Sequence, residues 1–316
     1  MKLVRALVAV AAFVSCAGVF LSGARSAPDK VVTIGFQKYG NLILLKGRGG
    51  LEGRLAPLGY RIEWREFPSG PPLMEALNAG AIDFGHAGET PPIFAQAAGV
   101  PFVYAAYEQP APKSEAIIVP QNSPLKTLAD LKGKKIALNK GSNVHFLLVR
   151  ALEKAGLKYS EIEPTFLAPA DARAAFEKGA VDAWVIWDPF LAAAEAATGA
   201  RTLADGVGLA PNRQFYLATQ KFAEADPAAV DAVLAGIADI DRWAAGKERT
   251  VAEKLSPGIG IPAPILEVAL KRQTYGVSPL EAEVVADQQR IADTFFGLGL
   301  IPKQIPVSSI VRKPAS

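Results

Sequence analysis

Two short polar turns that lead into helical stretches have the residue types needed to bind an anion. One is Gly141-Ser142-Asn143, and the other is Gly88-Glu89-Thr90, with Thr90 as the predicted N-cap and Pro91 at the first helical position. The first N–H groups of a helix have no partner inside it, and the helix dipole places about half a positive charge there. Such a turn can bind an anion without a charged side chain. The alternative is that Ser142 or Asn143 caps its own helix, and the turn by itself favours that alternative.

Two carboxylates follow short apolar segments at equivalent places in the chain. Glu89 and Asp188 lie 99 residues apart, and each could order its own loop or face a cleft and hold a hydrogen-bond donor or a cation. Trp187 precedes Asp188, and Trp184 should point to the opposite face because side chains alternate along a strand. A buried core tryptophan is the ordinary outcome for either ring. Of the two, we predict that Trp187 lines the cleft.

Motifs of known catalytic sites are absent from the sequence. It contains no Gly-x-Ser-x-Gly elbow, no P-loop, no dinucleotide fingerprint and no Cys–His pair. His86 and His145 lie in the candidate loops, but a lone histidine is more often a hydrogen-bonded structural group than a base. Two carboxylates in a cleft could serve acid–base catalysis, yet their equivalent positions in a repeat explain them without chemistry. We expect neither an enzyme nor a metal or cofactor site.

The same series of elements occurs twice, with an offset close to 99 residues. The segment 76–84 matches 175–183, and in both a helix end is followed by a glycine, Gly80 or Gly179, and a short apolar strand. Upstream, the strand at 60–64 corresponds to 160–164, and the strand at 31–36 to 135–138. Matches in the same order at a nearly constant spacing indicate an internal repeat.

Strands that alternate with helices predict an α/β fold of parallel sheets, and two repeats predict two lobes. Ligands of such sheets bind beyond the carboxyl ends of the strands, so facing lobes would share one cleft. Helices are predicted after the second repeat, at 226–244, 250–255, 263–271 and 279–296. We predict that 28–115 and 220–316 form lobe 1 and that 116–219 forms lobe 2. The predicted hinge strands lie near 113–119 and 214–219.

The first 26 residues are predicted to be a signal peptide that is cleaved after Ala24 or Ser26. Lys2 and Arg5 precede an apolar run that is short for a membrane span, and small residues follow it. A lipid anchor at Cys16 is disfavoured because the preceding residues match a lipoprotein signal poorly. We therefore expect a periplasmic protein.

Overall charge gives no indication of a nucleic-acid partner. The chain of 316 residues has 34 basic and 31 acidic side chains, without a run of five or six basic residues. Lys2, Arg5 and Arg25 account for the whole basic excess, so cleavage after Ser26 leaves a neutral chain. Such a chain would bind an anion through local dipoles and not through its overall field.

Several short motifs between about residues 31 and 302 occur together in an order that is specific to one group of proteins. They are Glu66-Phe67-Pro68-Ser69-Gly70-Pro71, Glu75-Ala76-Leu77-Asn78, Pro91 to Gly99, Ala129-Asp130-Leu131-Lys132-Gly133, Pro169 to Phe176, Val181-Asp182-Ala183-Trp184 and Ile186-Trp187-Asp188-Pro189. Together they resemble the aliphatic-sulfonate substrate-binding proteins of ABC importers, within the wider group that includes taurine and nitrate receptors. The resemblance implies a type II periplasmic-binding-protein fold with two lobes and two hinge strands. It also implies capture of a sulfonate in the interlobe cleft, delivery to a membrane permease and no catalysis, and we expect a monomer.

The resemblance also implies a set of ligand contacts. The family's contact loops fall on Gln37, Ser69, Gly70, Gly88, Glu89, Thr90, Gly141, Ser142, Asn143, Trp187 and Asp188, and His86 and His145 are further candidates. This chain departs from the family in having Glu89 in place of Asp, His86 in place of a small residue, and few hydroxyls at 142–146. These departures leave open taurine, nitrate, a sulfate ester, an aromatic carboxylate or a thiamine precursor as the ligand, and an extracytoplasmic enzyme as the remaining alternative.

Overall fold

A computed structural model describes residues 30–313, which form two α/β lobes, each built on one sheet. The predicted signal peptide, its cleavage sites and Cys16 lie outside the described residues. Among the helices of 30–313, none is both long and apolar enough to cross a membrane.

The sheet of the first lobe has six strands. They are β1 (Lys30–Phe36), β2 (Tyr60–Glu66), β3 (Phe84–Gly88), β4 (Phe102–Glu108), β10 (Gln214–Thr219) and β11 (Val277–Ser278). Their order is β11-β4-β10-β3-β1-β2. Strand β1 is parallel to β2 and β3, whereas β10 is antiparallel to β3 and β4. The parallel strands therefore end at one edge of the sheet, where their loops collect.

The sheet of the second lobe repeats this arrangement with five strands. They are β5 (Glu115–Val119), β6 (Lys135–Leu138), β7 (Glu163–Phe166), β8 (Ala183–Trp187) and β9 (Arg201–Asp205). Their order is β7-β6-β8-β5-β9, with β6 parallel to β7 and β8, and β5 antiparallel to β8 and β9. Strand by strand, this is the order β2-β1-β3-β10-β4 of the first lobe, as an internal repeat predicts.

One pair of aspartates shows the repeat at atomic detail. A carboxylate oxygen of Asp83 accepts the backbone N–H of Thr33 at 2.8 Å, and Asp182 accepts that of Lys135 at the same distance. The backbone N–H of each aspartate returns a bond to the partner's carbonyl, again at 2.8 Å. Each aspartate thus ties the residue before one strand to its parallel neighbour, at the middle of β1 in the first lobe and at the start of β6 in the second.

Helices connect the strands and complete the first lobe. They are α1 (Asn41–Arg48), α2 (Leu51–Leu55), α3 (Gly70–Asn78), α4 (Thr90–Ala97), α5 (Asn143–Lys154), α6 (Pro169–Glu177), α7 (Phe190–Thr198), α8 (Gln220–Ala225), α9 (Pro227–Ala244), α10 (Glu248–Ile259), α11 (Ala263–Arg272) and α12 (Ala282–Gly297). The four predicted C-terminal helices correspond to α9, α10, α11 and α12, whereas α8 was not predicted. Helix α4 begins at Thr90, one residue earlier than predicted.

The predicted hinge strands are corrected by the sheet pairing. The segment 214–219 is β10, which lies between β3 and β4 inside the first sheet, and most of 113–119 is β5 inside the second. The chain crosses between the lobes at 109–114 and 206–213, where Gly206 N–H donates to Pro112 O at 2.9 Å. Residues 214–219, which we assigned to lobe 2, therefore belong to the first lobe's sheet.

Two apolar clusters hold the fold together. One lies between one face of the first sheet and α1, α2, α9 and α10, and includes Ile34, Leu42 and Ile237. The other continues through α4 and α12 into the second lobe, because the ring of Phe295 lies 5.1 Å from Phe94 and 6.1 Å from Phe146. Helix α12 thus packs between helices of both lobes, and the lobes are in contact.

Candidate functional site

In the first lobe, the candidate residues that follow β1 and β3 pack against each other. The side-chain amide of Gln37 donates to the carbonyl of His86 at 3.0 Å, and both residues are buried. The His86 ring lies beneath the turn before α1, since a Cβ at Gly40 would be 2.7 Å from its Nε2 atom. Burial lowers the pKa of His86 to about 4, partly offset by the nearby backbone of Tyr39, so the ring is neutral at physiological pH.

The starts of α3 and α4 also meet in this lobe. A Cβ at Gly70 would lie 2.5 Å from Pro91, so the absence of a side chain lets the two helix starts approach. Ser69, Glu89 and Thr90 are buried beside them, and the Thr90 hydroxyl has no hydrogen-bond partner among the described residues. The sequence-predicted residues of the first lobe are therefore one group.

In the second lobe, the turn before α5 does not have the cap that the sequence favoured. The Ser142 side chain makes no cap hydrogen bond and instead donates to Asn139 O at 2.7 Å. The Asn143 side chain donates to Glu115 at 2.5 Å and to Asn212 at 2.9 Å. Within 30–313, the backbone N–H groups of Asn143 and Val144 donate to no described acceptor. This helix start is left open at the cleft.

His145 lies on α5 but is occupied by bonds within its own lobe. Its Nδ1 atom accepts the N–H of Gly141 at 3.2 Å, so Nε2 carries the proton and donates to the Tyr159 hydroxyl at 2.9 Å. Burial, with a smaller contribution from the charge of Lys140, lowers the pKa of His145 to about 4. The ring shapes the Gly141 turn, and a direct ligand contact by His145 remains a prediction.

Trp187 and Asp188 end strand β8, and both are buried. The Trp187 ring packs edge-on against Phe190, with ring centroids 6.1 Å apart. One oxygen of Asp188 accepts the N–H of Ala192 at 3.1 Å, so this carboxylate orders the start of α7, as one of our two interpretations held. Burial raises the pKa of Asp188 to about 7, although Arg272 opposes the shift. The predicted contact between Trp187 and a ligand remains a prediction.

The two groups of candidate residues face each other across the cleft. A Cβ at Gly88 would lie 2.9 Å from Cβ of Asn143, and one at Gly141 would lie 3.6 Å from Phe94. From α11 of the first lobe, Arg272 reaches Glu195 at 2.6 Å and Asp188 at 3.5 Å in the second. These contacts hold the lobes in a closed arrangement.

Five helix starts lie at the carboxyl ends of β1, β2, β3, β6 and β8. Those of α1, α3, α4 and α5 have no side-chain cap bond, whereas Asp188 accepts the N–H of Ala192 in the first turn of α7. Each start carries partial positive charge, so the region favours an anion although few basic side chains reach it. A cavity of about 320 Å³ beside α3, α4 and Gly141 gives space for a substituent that extends past the helix starts.

Four polar residues of the cleft were not predicted from the sequence. Ser114 and Glu115 are fully buried, and Asn212 donates to Ala111 O at 2.9 Å with a left-handed φ of 49°. The backbone N–H of Arg213 donates to Glu89 at 3.1 Å. Glu115 had a signal, since it is the single charged residue of the strand Glu115–Val119. The others have no local pattern that would have identified them.

Buried carboxylates dominate the polar chemistry of the interlobe region. Burial raises the pKa of Glu89 to about 7, against the opposing effect of Arg213. Burial raises the pKa of Glu115 well above its ordinary value, and the Glu89 charge adds to that shift. No cluster of three metal-ligating side chains occurs in the part of the chain that the structure describes.

Two lobes of matching topology, with helix starts that face each other, define the class of two-lobed solute-binding proteins. The chain belongs to the NMT1-like family, whose model matches residues 25–256. Among its relatives is an aliphatic sulfonates-binding protein of Escherichia coli (strain K12), which is 45% identical over 297 residues, covering 93% of this chain and 92% of the relative.

Solved structures agree with this assignment. The alkanesulfonate-binding protein SsuA from Xanthomonas axonopodis pv. citri, bound to MOPS, matches with a TM-score of 0.86 at 42% identity, covering 91% of this chain and 99% of that one. The periplasmic aliphatic sulphonate binding protein SsuA from Escherichia coli matches with a TM-score of 0.83 at 44% identity, covering 91% and 93%. The predicted type II periplasmic-binding-protein fold is confirmed, and these relatives are named as binding proteins.

Proposed function

We propose that this protein is an extracytoplasmic receptor that captures an aliphatic sulfonate between its lobes and delivers it to an ABC permease for sulfur acquisition. The observation that carries the proposal is the start of α5 at the cleft, where the backbone N–H groups of Asn143 and Val144 donate to no described acceptor. Relatives named for aliphatic sulfonates and alkanesulfonates, with more than 90% of each chain covered, support the choice of ligand class.

The sulfonate group suits such a site because it stays ionised near neutral pH and only accepts hydrogen bonds. Its oxygens would accept from the free N–H groups of Asn143 and Val144, and from the hydroxyl of Thr90. Hydrogen bonds to a charged group contribute about 1.5–3 kcal/mol each, so a few suffice for micromolar affinity. Closure of the lobes would exclude water and give the permease a ligand-dependent shape to recognise.

A thermal-shift panel tests the ligand class. Alkanesulfonates of C2 to C8 are compared with nitrate, a sulfate ester, an aromatic carboxylate and a thiamine precursor at equal concentrations. A ligand present at about 100 times its Kd stabilises the folded protein by about 2.7 kcal/mol, which gives a clear rise in Tm. A shift with another class and none with any alkanesulfonate would contradict the proposal.

We propose that binding is not followed by chemical turnover. Each carboxylate in the cleft accepts a hydrogen bond from the chain itself, from Asn143, Arg213 or Ala192. These bonds give the carboxylates a structural role, so their presence does not indicate catalysis. After prolonged incubation with the protein, the captured sulfonate should be recovered intact by mass spectrometry. Release of sulfite or of a desulfonated product would contradict this part of the proposal.

The cellular setting is part of the same proposal. The mature chain would begin after Ala24 or Ser26, without a lipid on Cys16, and act as a periplasmic monomer that docks on the permease. The intact mass of the protein from a periplasmic extract would locate the cleavage site. Light scattering during gel filtration would measure the oligomeric state. A stable dimer would contradict the proposed monomer.

A further inference from the structure

Asp241 is a buried carboxylate on the inner face of α9, outside the cleft. Its neighbours on that face, such as Ile237 and Ile240, are apolar and belong to the core of the first lobe. The other two aspartates of this helix, Asp231 and Asp239, pair with arginines at the surface. A buried carboxylate costs free energy unless donors surround it, so its place in an apolar helix face points to a role that an apolar residue could not fill.

Three donors from two segments of the chain surround this carboxylate. Oδ1 of Asp241 accepts from the side-chain amide of Asn41 at 2.6 Å, and Oδ2 accepts the backbone N–H groups of Gly276 and Val277, both at 3.0 Å. Because all three partners are donors, they match a group that only accepts, as an ionised carboxylate does. One side chain therefore joins the start of α1 to the segment that follows α11.

A second amide extends this set of hydrogen bonds to the end of α11. The side-chain oxygen of Asn41 accepts from the side-chain amide of Gln273, which is the residue after Arg272. The last turn of a helix frays readily unless the chain beyond it is held in place. Here residues 273–277 are held at both ends, by Asn41 at Gln273 and by Asp241 at the last two residues.

The last residue of α11 is the one that reaches across the cleft. Nη2 of Arg272 donates to Glu195 at 2.6 Å, and Nη1 lies 3.5 Å from Asp188, both in the second lobe. Hydrogen bonds weaken steeply when distance or angle departs from the optimum. A displacement of the end of α11 would therefore weaken both contacts at once.

We infer that Asp241 is a positioning residue for ligand capture. It fixes Asn41 and residues 273–277, and through them it holds Arg272 where the closed lobes require its guanidinium. The inference rests on the proposed function, because it concerns how the lobes close on the captured ligand. The alternative is that Asp241 stabilises the first lobe without any effect that passes through Arg272.

The test is a double-mutant cycle between Asp241 and Arg272, with calorimetric affinity of the full-length mature protein for butane-1-sulfonate as the readout. In Asp241→Asn, the new amide faces the amide of Asn41, so that bond is lost or the mismatch passes on to Gln273. Affinity should fall about 5- to 10-fold. In an Arg272→Met background, the same substitution should change affinity by less than about 2-fold, because the contact through which it acts is already absent.

A second variant keeps the inference testable if Asp241→Asn folds poorly. Gln273→Met keeps the length of the side chain and removes only the donor to Asn41, so the buried carboxylate and its other bonds stay in place. It should weaken binding about 2- to 10-fold, and again only while Arg272 is present. The control is Asp239→Asn, also on α9, whose carboxylate pairs with the exposed side chains of Arg54 and Arg242. It should leave the affinity unchanged.

The outcomes separate this inference from the function on which it rests. If the losses from Asp241→Asn and Arg272→Met multiply to about 50- to 100-fold, the two residues act independently and the inference is overturned. Unchanged affinity in both Asp241→Asn and Gln273→Met would also overturn it. Neither result bears on the ligand class. Failure of every alkanesulfonate to bind would overturn the proposed function instead, and the cycle would then be measured with the ligand that the thermal-shift panel identifies.

Discussion

Hydroxyl and carboxylate residues precede helices in two regions of the molecule and make different bonds. At α8 and α9, remote from the cleft, the side chains of Thr219 and Asp226 accept the N–H groups of Phe222 and Ala229, both at 3.2 Å. At α5, Ser142 makes no such bond. The starts of α8 and α9 are thus satisfied by side chains, whereas at the start of α5 the N–H groups of Asn143 and Val144 have no described acceptor. A hydroxyl residue therefore caps a helix in one region and leaves the helix start open in the other.

The largest effect is expected from Gly88→Ala, which should weaken sulfonate binding by about 10- to 100-fold, the cost of overpacking a close contact. The new Cβ would lie 2.9 Å from Cβ of Asn143 and would hold the lobes apart. The unfolding free energy should change little, because the contact joins the lobes and lies outside the core of either lobe. Titration calorimetry measures the loss.

Gly53→Ala is the matched control for this substitution. Gly53 lies in α2, away from the cleft, and a Cβ there would meet nothing within 4 Å. Alanine should raise the unfolding free energy by about 0.5–1 kcal/mol and leave the affinity unchanged. Unchanged affinity in Gly88→Ala as well would mean that ligand binding does not require the interlobe contact of Asn143.

The next effect is expected from Arg272→Met, which removes the cation that α11 extends to Asp188 and Glu195 across the cleft. Affinity should fall about 10-fold, because part of the attraction that closes the lobes is lost. Without Arg272, the pKa of the buried Asp188 carboxyl should rise above its value of about 7. A group whose pKa is raised in the closed form favours closure at low pH and opposes it as pH rises.

The dependence of ligand affinity on pH therefore tests the role of Arg272 in lobe closure better than the affinity at a single pH. Between pH 6 and 8, affinity of Arg272→Met should decline more steeply with rising pH than affinity of the native protein. Arg249→Met, which removes an exposed partner of Glu253 on α10, should change stability by less than about 0.5 kcal/mol and affinity not at all. Parallel pH profiles for the native protein and Arg272→Met would contradict the assigned role.

The smallest effects are expected from a pair of N-cap substitutions that separates the two regions directly. Asp226→Ala should lower the unfolding free energy by about 1 kcal/mol and leave affinity unchanged, because its side chain is a true cap. Ser142→Ala should weaken sulfonate binding by up to about 10-fold with little change in stability, because it removes the bond to Asn139 O that fixes the turn before α5 but removes no cap. Denaturant unfolding and calorimetry measure both variants. A stability loss without an affinity loss in Ser142→Ala would show that it is an ordinary cap.

The fold was predictable because its signals are local and occur twice. A helix end, a glycine and a short apolar strand identify β3 and β8, and Asp83 and Asp182 confirm their equivalence. The hinges were predicted wrongly because β10 is apolar and extended, as a linking strand would also be. Its place between β3 and β4 depends on pairing with strands more than a hundred residues earlier, which local pattern does not encode.

The site was predictable only in part, for a related reason. Loops at the carboxyl ends of parallel strands identify Gly88 and Gly141 as cleft residues, since the fold class places all such loops together. Glu115 was missed because its importance depends on Asn143 and on Glu89 from the other lobe. Ser142 illustrates the converse case, because the local rule for N-caps applies to its sequence, but its hydroxyl donates to Asn139 O instead.

The position of β10 has a consequence for the order in which the molecule can assemble. The second sheet uses one continuous segment, 115–205, whereas the first sheet lacks a central strand until residues 214–219 have been made. During synthesis the chain can therefore complete the second sheet before the first. A truncation before 214 would leave β3 and β4 without their shared neighbour, and the first sheet would stay incomplete until about two thirds of the chain has been made.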